Sequence, residues 1–110
     1  MTNVRPQSEL YREAAMHYAD ADAAARMLEE TKSIVFAELV QQALKAGCPS
    51  VARAELEVRA GQQYRDFVDR MVRSRTNANR ARYQLEFIRM QHWEKTQDRA
   101  DERFVARIGT

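Results

Sequence analysis

The sequence predicts an all-α fold: an elongated antiparallel helical hairpin with a short connecting helix, assembled into a homo-oligomeric, in the simplest case dimeric, helical bundle. A chain of 110 residues allows one domain, and its three glycines and two prolines leave room for long uninterrupted helices. Apolar residues recur in a heptad pattern toward the end of the chain, and further large apolar residues lie off that pattern. We therefore expect one helical domain covering residues 1–110.

The first helix is expected from about residue 8 to residue 46. Ser8 suits the N-cap position, and Gly47 followed by Pro49 provides a stop signal. The second, short helix is expected over residues 50–60, because the proline just before it fits a helix start.

The third helix is expected over residues 62–108, where no breaker occurs before Gly109. Gly61 either ends the short helix or only bends the chain into the long one. At about 1.5 Å per residue, the two long helices would span roughly 60 and 70 Å, which predicts an elongated molecule.

A heptad seam along the third helix is expected to face the first helix. Its residues are Tyr64, Phe67, Met71, Ser74, Ala78, Ala81, Leu85, Ile88 and His92. If the chain doubles back through the short helix, loop length predicts that Leu28 meets Ala81 and that Val35 meets Ser74. Large residues then oppose small ones, as close packing requires.

A second apolar face points away from this seam and predicts an interface with another molecule. One neighbouring helix cannot cover opposite faces of the third helix, and three successive apolar residues of the first helix point in three directions. Burial of each large side chain contributes roughly 1.5–3 kcal/mol, so self-association is expected unless the short helix covers them all. The interface residues are predicted to be Val72, Tyr83, Phe87, Met90, Trp93, Ile34 and Phe36.

Charge is distributed unevenly, although the net charge is only +2. Residues 1–48 hold five Lys or Arg against seven Asp or Glu, whereas residues 49–110 hold thirteen against nine. Regularly spaced guanidinium groups can follow the phosphates of a nucleic acid strand, or can pair with carboxylates along a coiled-coil flank. Both interpretations stay open. The candidate phosphate-binding residues are Arg73, Arg75, Arg80, Arg82 and Arg89.

Motifs for catalysis are missing, so we expect neither enzymatic activity nor a cofactor. The sequence has no glycine-rich phosphate loop, GxSxG, CxxC or HExxH. The proposed register brings His17 opposite His92, with Glu13 and Asp20 one turn to either side, and such a set could hold a divalent metal. The simpler interpretation is two partly buried histidines in the seam, and no metal is predicted.

The single cysteine and the lack of long apolar runs favour a cytoplasmic location. Cys48 cannot form an internal disulfide and is expected in an exposed turn. No stretch reaches the roughly 18 apolar residues that a membrane span requires, and no signal peptide is recognised.

Two segments resemble a group of small helical proteins from bacteriophages and prophages, often encoded near single-strand annealing recombinases. The segment ARYQLEFIRMQHWEKTQDRADER (81–103) is similar to their closing helix, and SVARAELEVRAGQQYRDFV (50–68) is similar to their connecting segment. The resemblance covers about the second half of the chain. It implies an accessory role in phage DNA metabolism, in the cytoplasm of a bacterial host, and carries no catalytic residues.

Two functions are therefore expected from the sequence. The first is a non-enzymatic, oligomeric accessory protein of phage recombination or replication that binds single-stranded DNA or a recombination protein. The alternative is a protein-interaction module, such as an inhibitor of a host protein or a scaffold, that does not bind nucleic acid. In both, the chain is its own partner and no membrane is involved.

Overall fold

The computed structural model describes residues 6–109, and this part of the chain is all-helical. The helices are α1 (Gln7–Lys45), α2 (Val51–Ala60) and α3 (Gln62–Ile108), and no strand occurs within the described range. The predicted all-α class with two long helices and one short helix is confirmed. The bounds differ from the predicted ones by one residue in α1 and at the start of α2.

Two compact units share these helices. In the described chain, unit 1 consists of residues 6–20 and 79–109, and unit 2 consists of residues 21–78. Unit 1 thus contains the beginning of α1 and the end of α3, and unit 2 contains the rest of both helices together with α2. The single domain predicted from the sequence stays a prediction.

Local hydrogen bonds explain where the helices begin and end. The Ser50 hydroxyl caps α2 by accepting the backbone N–H of Arg53 at 3.1 Å. Gly47 has a φ of 106°, in the left-handed region that favours glycine, and closes α1 through the bond from its N–H to the Leu44 carbonyl. Gly61 adopts extended backbone and donates its N–H to the Val58 carbonyl, so it ends α2 rather than bending one continuous helix.

One core cluster of unit 2 lies where α2 packs beside the end of α1. Val40, Ala54 and Val58 are its buried residues. Half-buried neighbours complete the cluster, namely Phe36, Leu39, Ala43, Leu44, Cys48 and Tyr64. Cys48 is half-buried and packs against this cluster, so it is not in a fully exposed turn.

The predicted seam of α3 is confirmed by burial as far as Ile88. In unit 2 the seam positions from Tyr64 to Ala78 are buried or half-buried, and in unit 1 so are Ala81, Leu85 and Ile88. His92, the last predicted seam position, is exposed. His17 is exposed as well, so the expectation of two partly buried histidines is wrong.

The predicted register between α1 and α3 is wrong. In unit 2, Arg75 bonds to Asp22 and Glu29, so its neighbour Ser74 meets a part of α1 that precedes Val35. Phe36, which follows Val35, contacts Tyr64 instead. The physical reason is the position of α2, which occupies the last turns of α1 beside Val40, so α3 meets α1 farther from the α1 end. In unit 1, His92 correspondingly lies with Gln7 and Tyr11 instead of His17.

Candidate interaction surfaces

An exposed apolar stripe runs along the α3 part of unit 1. We name Tyr83, Phe87 and Met90 the outer stripe; they are 62%, 59% and 61% exposed. Successive helical residues turn by about 100°, which places the stripe opposite the buried Ala81 and its seam neighbour Leu85. The stripe is therefore the face of α3 that no other part of unit 1 covers.

The remaining predicted interface residues do not share one environment. Val72 and Ile34, both in unit 2, are more than half exposed, as the sequence analysis expected. Phe36 is half-buried, since its ring contacts the Tyr64 ring edge-on at 5.3 Å and the Arg59 guanidinium lies 5.0 Å from its centroid. Phe36 thus packs against the core of unit 2, and its role in an interface stays a prediction.

Arg75, one of the candidate phosphate-binding residues, is held by two carboxylates within unit 2. Its guanidinium donates two hydrogen bonds to Glu29, at 2.9 and 2.6 Å, and one to Asp22 at 2.8 Å. These bonds hold the pKa values of Asp22 and Glu29 below their usual range and raise the pKa of Arg75. Arg75 is therefore satisfied by α1 and serves to link α1 to α3.

The other candidate arginines are more accessible. In unit 2, Arg73 pairs with Asp69 of its own helix at 3.0 Å and is largely exposed. In unit 1, Arg82 lies 3.9 Å from Glu86 and stands over the Tyr83 ring at 5.4 Å. Such exposed pairs are worth only about 0–1 kcal/mol, so they give way easily to a stronger anionic partner. Arg80 and Arg89, also in unit 1, are exposed as well.

A groove in unit 1, which the sequence did not reveal, lies between the start of α1 and α3. Its volume is about 600 Å³, and its lining comprises Gln7, Ser8, Tyr11, Arg89, His92, Trp93 and Thr96. An adjoining cleft shares part of this lining and adds Pro6, Leu10, Lys95 and Arg99. We name the two together the basic groove, because their lining includes three permanent cations and, within the described chain, no carboxylate. The sequence does not reveal this groove, because its lining depends on the observed register between α1 and α3.

Hydrogen bonds between the helices support one wall of the basic groove. The Gln7 amide donates to the Ile88 carbonyl and accepts from the Lys95 ammonium, each at 3.4 Å. Trp93 is 63% exposed and Tyr11 is 37% exposed, so both rings are open to a partner. The groove therefore offers aromatic surface and positive charge side by side.

The residues considered for a metal site are not brought together. His92 borders the basic groove, away from His17, and the described residues contain no group of three or more potential ligands placed to hold a metal ion. Among the same residues, no helix has a stretch long and apolar enough to cross a membrane.

Comparison with known proteins gave no match to a family model, to a curated protein or to a solved structure.

Proposed function

We propose that the chain is a non-enzymatic protein-interaction module: an antiparallel helical hairpin that works as a homodimer joined through the outer stripe. The observation that carries this proposal is the exposure of Tyr83, Phe87 and Met90 side by side on one helix face of unit 1. Aromatic and methionine side chains in such a patch are typical of interface cores.

The hairpin is supported by contacts inside unit 2. Tyr64, near the start of α3, contacts Phe36, whereas Arg75, farther along α3, contacts Asp22 and Glu29, which come earlier in α1. Ascending positions in α3 thus meet descending positions in α1, which is the pattern of antiparallel helices.

The dimer is supported by the exposure of large apolar side chains in the stripe. Tyr83, Phe87 and Met90 remain between 59% and 62% exposed. Covering a large apolar side chain contributes roughly 1.5–3 kcal/mol, so a partner that covers all three would be favoured. A second copy offers the same stripe, and a two-fold axis near Phe87 would let the two stripes cover each other.

A second function, the binding of single-stranded DNA in an accessory role in phage recombination, is favoured by three arginines of unit 1. Arg80, Arg82 and Arg89 are exposed along one part of α3. Among residues 6–109, only Arg82 of these three has an ion pair, with Glu86 at 3.9 Å. Arg75 does not support this function, since two carboxylates already neutralise it. We place DNA binding second for this reason.

Light scattering with and without a short single-stranded oligonucleotide separates the two functions. At about 1 M salt, where charged contacts are screened, the interaction module is expected to have twice the 12.8 kDa mass of the chain. At lower salt, addition of the oligonucleotide should leave its mass unchanged. A mass increase upon addition that disappears at high salt, and that is lost when Arg80, Arg82 and Arg89 are replaced by Gln, would establish DNA binding instead.

A further inference from the structure

The last turns of α3 in unit 1 carry opposite charges on different sides. Residues 96–109 are all exposed, so both sides are accessible. One side contributes Arg89, Lys95 and Arg99 to the basic groove. The other side borders a shallow cleft that we name the acidic ridge, lined by Asp98, Asp101, Glu102, Val105 and Ala106. The unit thus presents two surfaces of complementary charge.

The dimensions of the two surfaces match. From Arg89 to Arg99 the helix rises by about 15 Å, and from Asp98 to Val105 it rises by about 10 Å. The ridge therefore fits within the length of the groove. Val105, which is 66% exposed, gives the ridge an apolar side chain that can meet the exposed Trp93 ring of the groove.

We propose that the basic groove binds the acidic ridge of a second copy of this chain. The carboxylates of the ridge would lie against the groove cations in charge-assisted contacts, and the Trp93 ring would be covered by Val105. The proposal does not depend on the outer stripe, because it uses different residues of α3.

This contact differs from a two-fold dimer in how it extends. The centres of the groove cations and of the ridge carboxylates are about 120° apart around α3, so a partner copy whose ridge fills the groove leaves most of the first copy's ridge uncovered. A copy that places its ridge in a neighbour's groove still has its own groove unoccupied. A further copy can bind there, so this head-to-tail contact produces an open chain of copies and not a closed dimer. Assembly through the outer stripe should therefore stop at two copies, whereas assembly through the groove should continue.

Salt separates this contact from the apolar one. Charges exposed at the groove and the ridge interact over about 30 Å at 10 mM salt but over only about 3 Å at 1 M salt. At about 10 mM salt, the weight-average mass of the full chain should rise with concentration to at least about twice its value at 1 M salt. A mass that is identical at both salt concentrations would overturn the proposal.

A charge exchange tests the pairing itself by sedimentation velocity. The groove variant carries Arg89→Glu, Lys95→Glu and Arg99→Glu, and the ridge variant carries Asp98→Lys, Asp101→Lys and Glu102→Lys. Each variant alone should lose the salt-dependent mass increase. Its groove and its ridge carry charges of the same sign, so the groove of one molecule repels the ridge of the next. An equal mixture should regain it, because the unchanged groove of one variant meets the unchanged ridge of the other, and the two altered surfaces also attract.

Circular dichroism of each variant confirms that its helices are intact before the mixture is measured. A mixture of folded variants that stays at the mass of the separate variants would overturn the proposal. Assembly of the ridge variant at the wild-type level would also overturn the proposal, because the contact would then not require the ridge carboxylates.

Discussion

Replacement of Phe87 by alanine is expected to dissociate the proposed dimer while leaving each chain folded. Phe87 is the middle residue of the outer stripe and is 59% exposed in the single chain. If a second copy covers it, the substitution removes apolar contact from the interface and not from the interior of unit 1. The variant should therefore keep its helical circular dichroism and its unfolding midpoint as a monomer.

The magnitude follows from the exposed area. A phenylalanine presents about 200 Å² for burial, of which some 120 Å² is still exposed at this position. At about 25 cal/mol per Å², covering that area contributes about 3 kcal/mol for each copy. Both copies of a dimer carry the substitution, so the dissociation free energy should fall by up to about 6 kcal/mol, or by about four orders of magnitude in Kd.

Sedimentation equilibrium at about 1 M salt measures this effect, since the charged contact proposed for the groove is screened there. Leu56→Ala is the matched control, because Leu56 is 63% exposed on α2 and lies outside the stripe. The control should leave Kd unchanged. Equal dissociation constants for wild type, Phe87→Ala and Leu56→Ala would refute the assignment of the stripe to the dimer interface.

Three further predictions concern unit 2. Phe67 is 5% exposed, so Phe67→Ala should lower the unfolding free energy of the protein by roughly 3–5 kcal/mol in urea denaturation. A decrease of less than about 1 kcal/mol would show that the seam is not packed. Gly47→Ala should lower the unfolding free energy by about 1–2 kcal/mol in the same assay, because alanine is strained in the left-handed backbone conformation of this residue. An added Cβ meets no atom within 4 Å, so no steric clash contributes to the loss. An unchanged unfolding free energy would contradict the left-handed backbone at this turn. Arg75 holds the pKa values of Asp22 and Glu29 below their usual range, so the ion pairs stabilise the fold at neutral pH. This stabilisation is lost as the pH falls below about 4, because the two carboxylates then become protonated. Arg75→Gln should therefore have a lower urea midpoint than wild type at pH 7 and a smaller drop toward pH 3; identical pH profiles would rule out the ion pair.

The sequence was sufficient to predict the helices and the inner face of α3. The proline before α2, the glycine after α1 and the heptad spacing are local signals, and local signals determine where helices begin, end and bury their side chains. Ser8 was an incorrect N-cap expectation, because α1 begins at Gln7 and contains it. The seam from Tyr64 to Ile88 and the exposure of the outer stripe both follow from that periodicity.

The register could not be predicted, because it depends on a tertiary contact. Loop length alone gave no indication that α2 packs beside Val40 and the end of α1. This one contact shifts α3 along α1, which carries Arg75 to Asp22 and Glu29 and brings Phe36 against Tyr64. The sequence therefore does not reveal that Phe36 and Arg75 have partners within unit 2.

The basic groove depends on the same kind of information. Its aromatic and cationic residues come from α1 and α3, and their sequence separation contains no pattern that joins them. The opposite charges on the two sides of α3 between Arg89 and Val105 could have been recognised by plotting the charged residues on a helical wheel. Assigning these charges to a groove required the position of the α1 start.

The mass of the unmodified chain in dilute solution at about 1 M salt tests the central claim most directly, because that salt screens the charged contact and leaves the apolar one. Sedimentation equilibrium should give twice 12.8 kDa over a range of micromolar concentrations. A constant mass of 12.8 kDa at every concentration would mean that the outer stripe stays exposed to water, and it would contradict the proposed dimer.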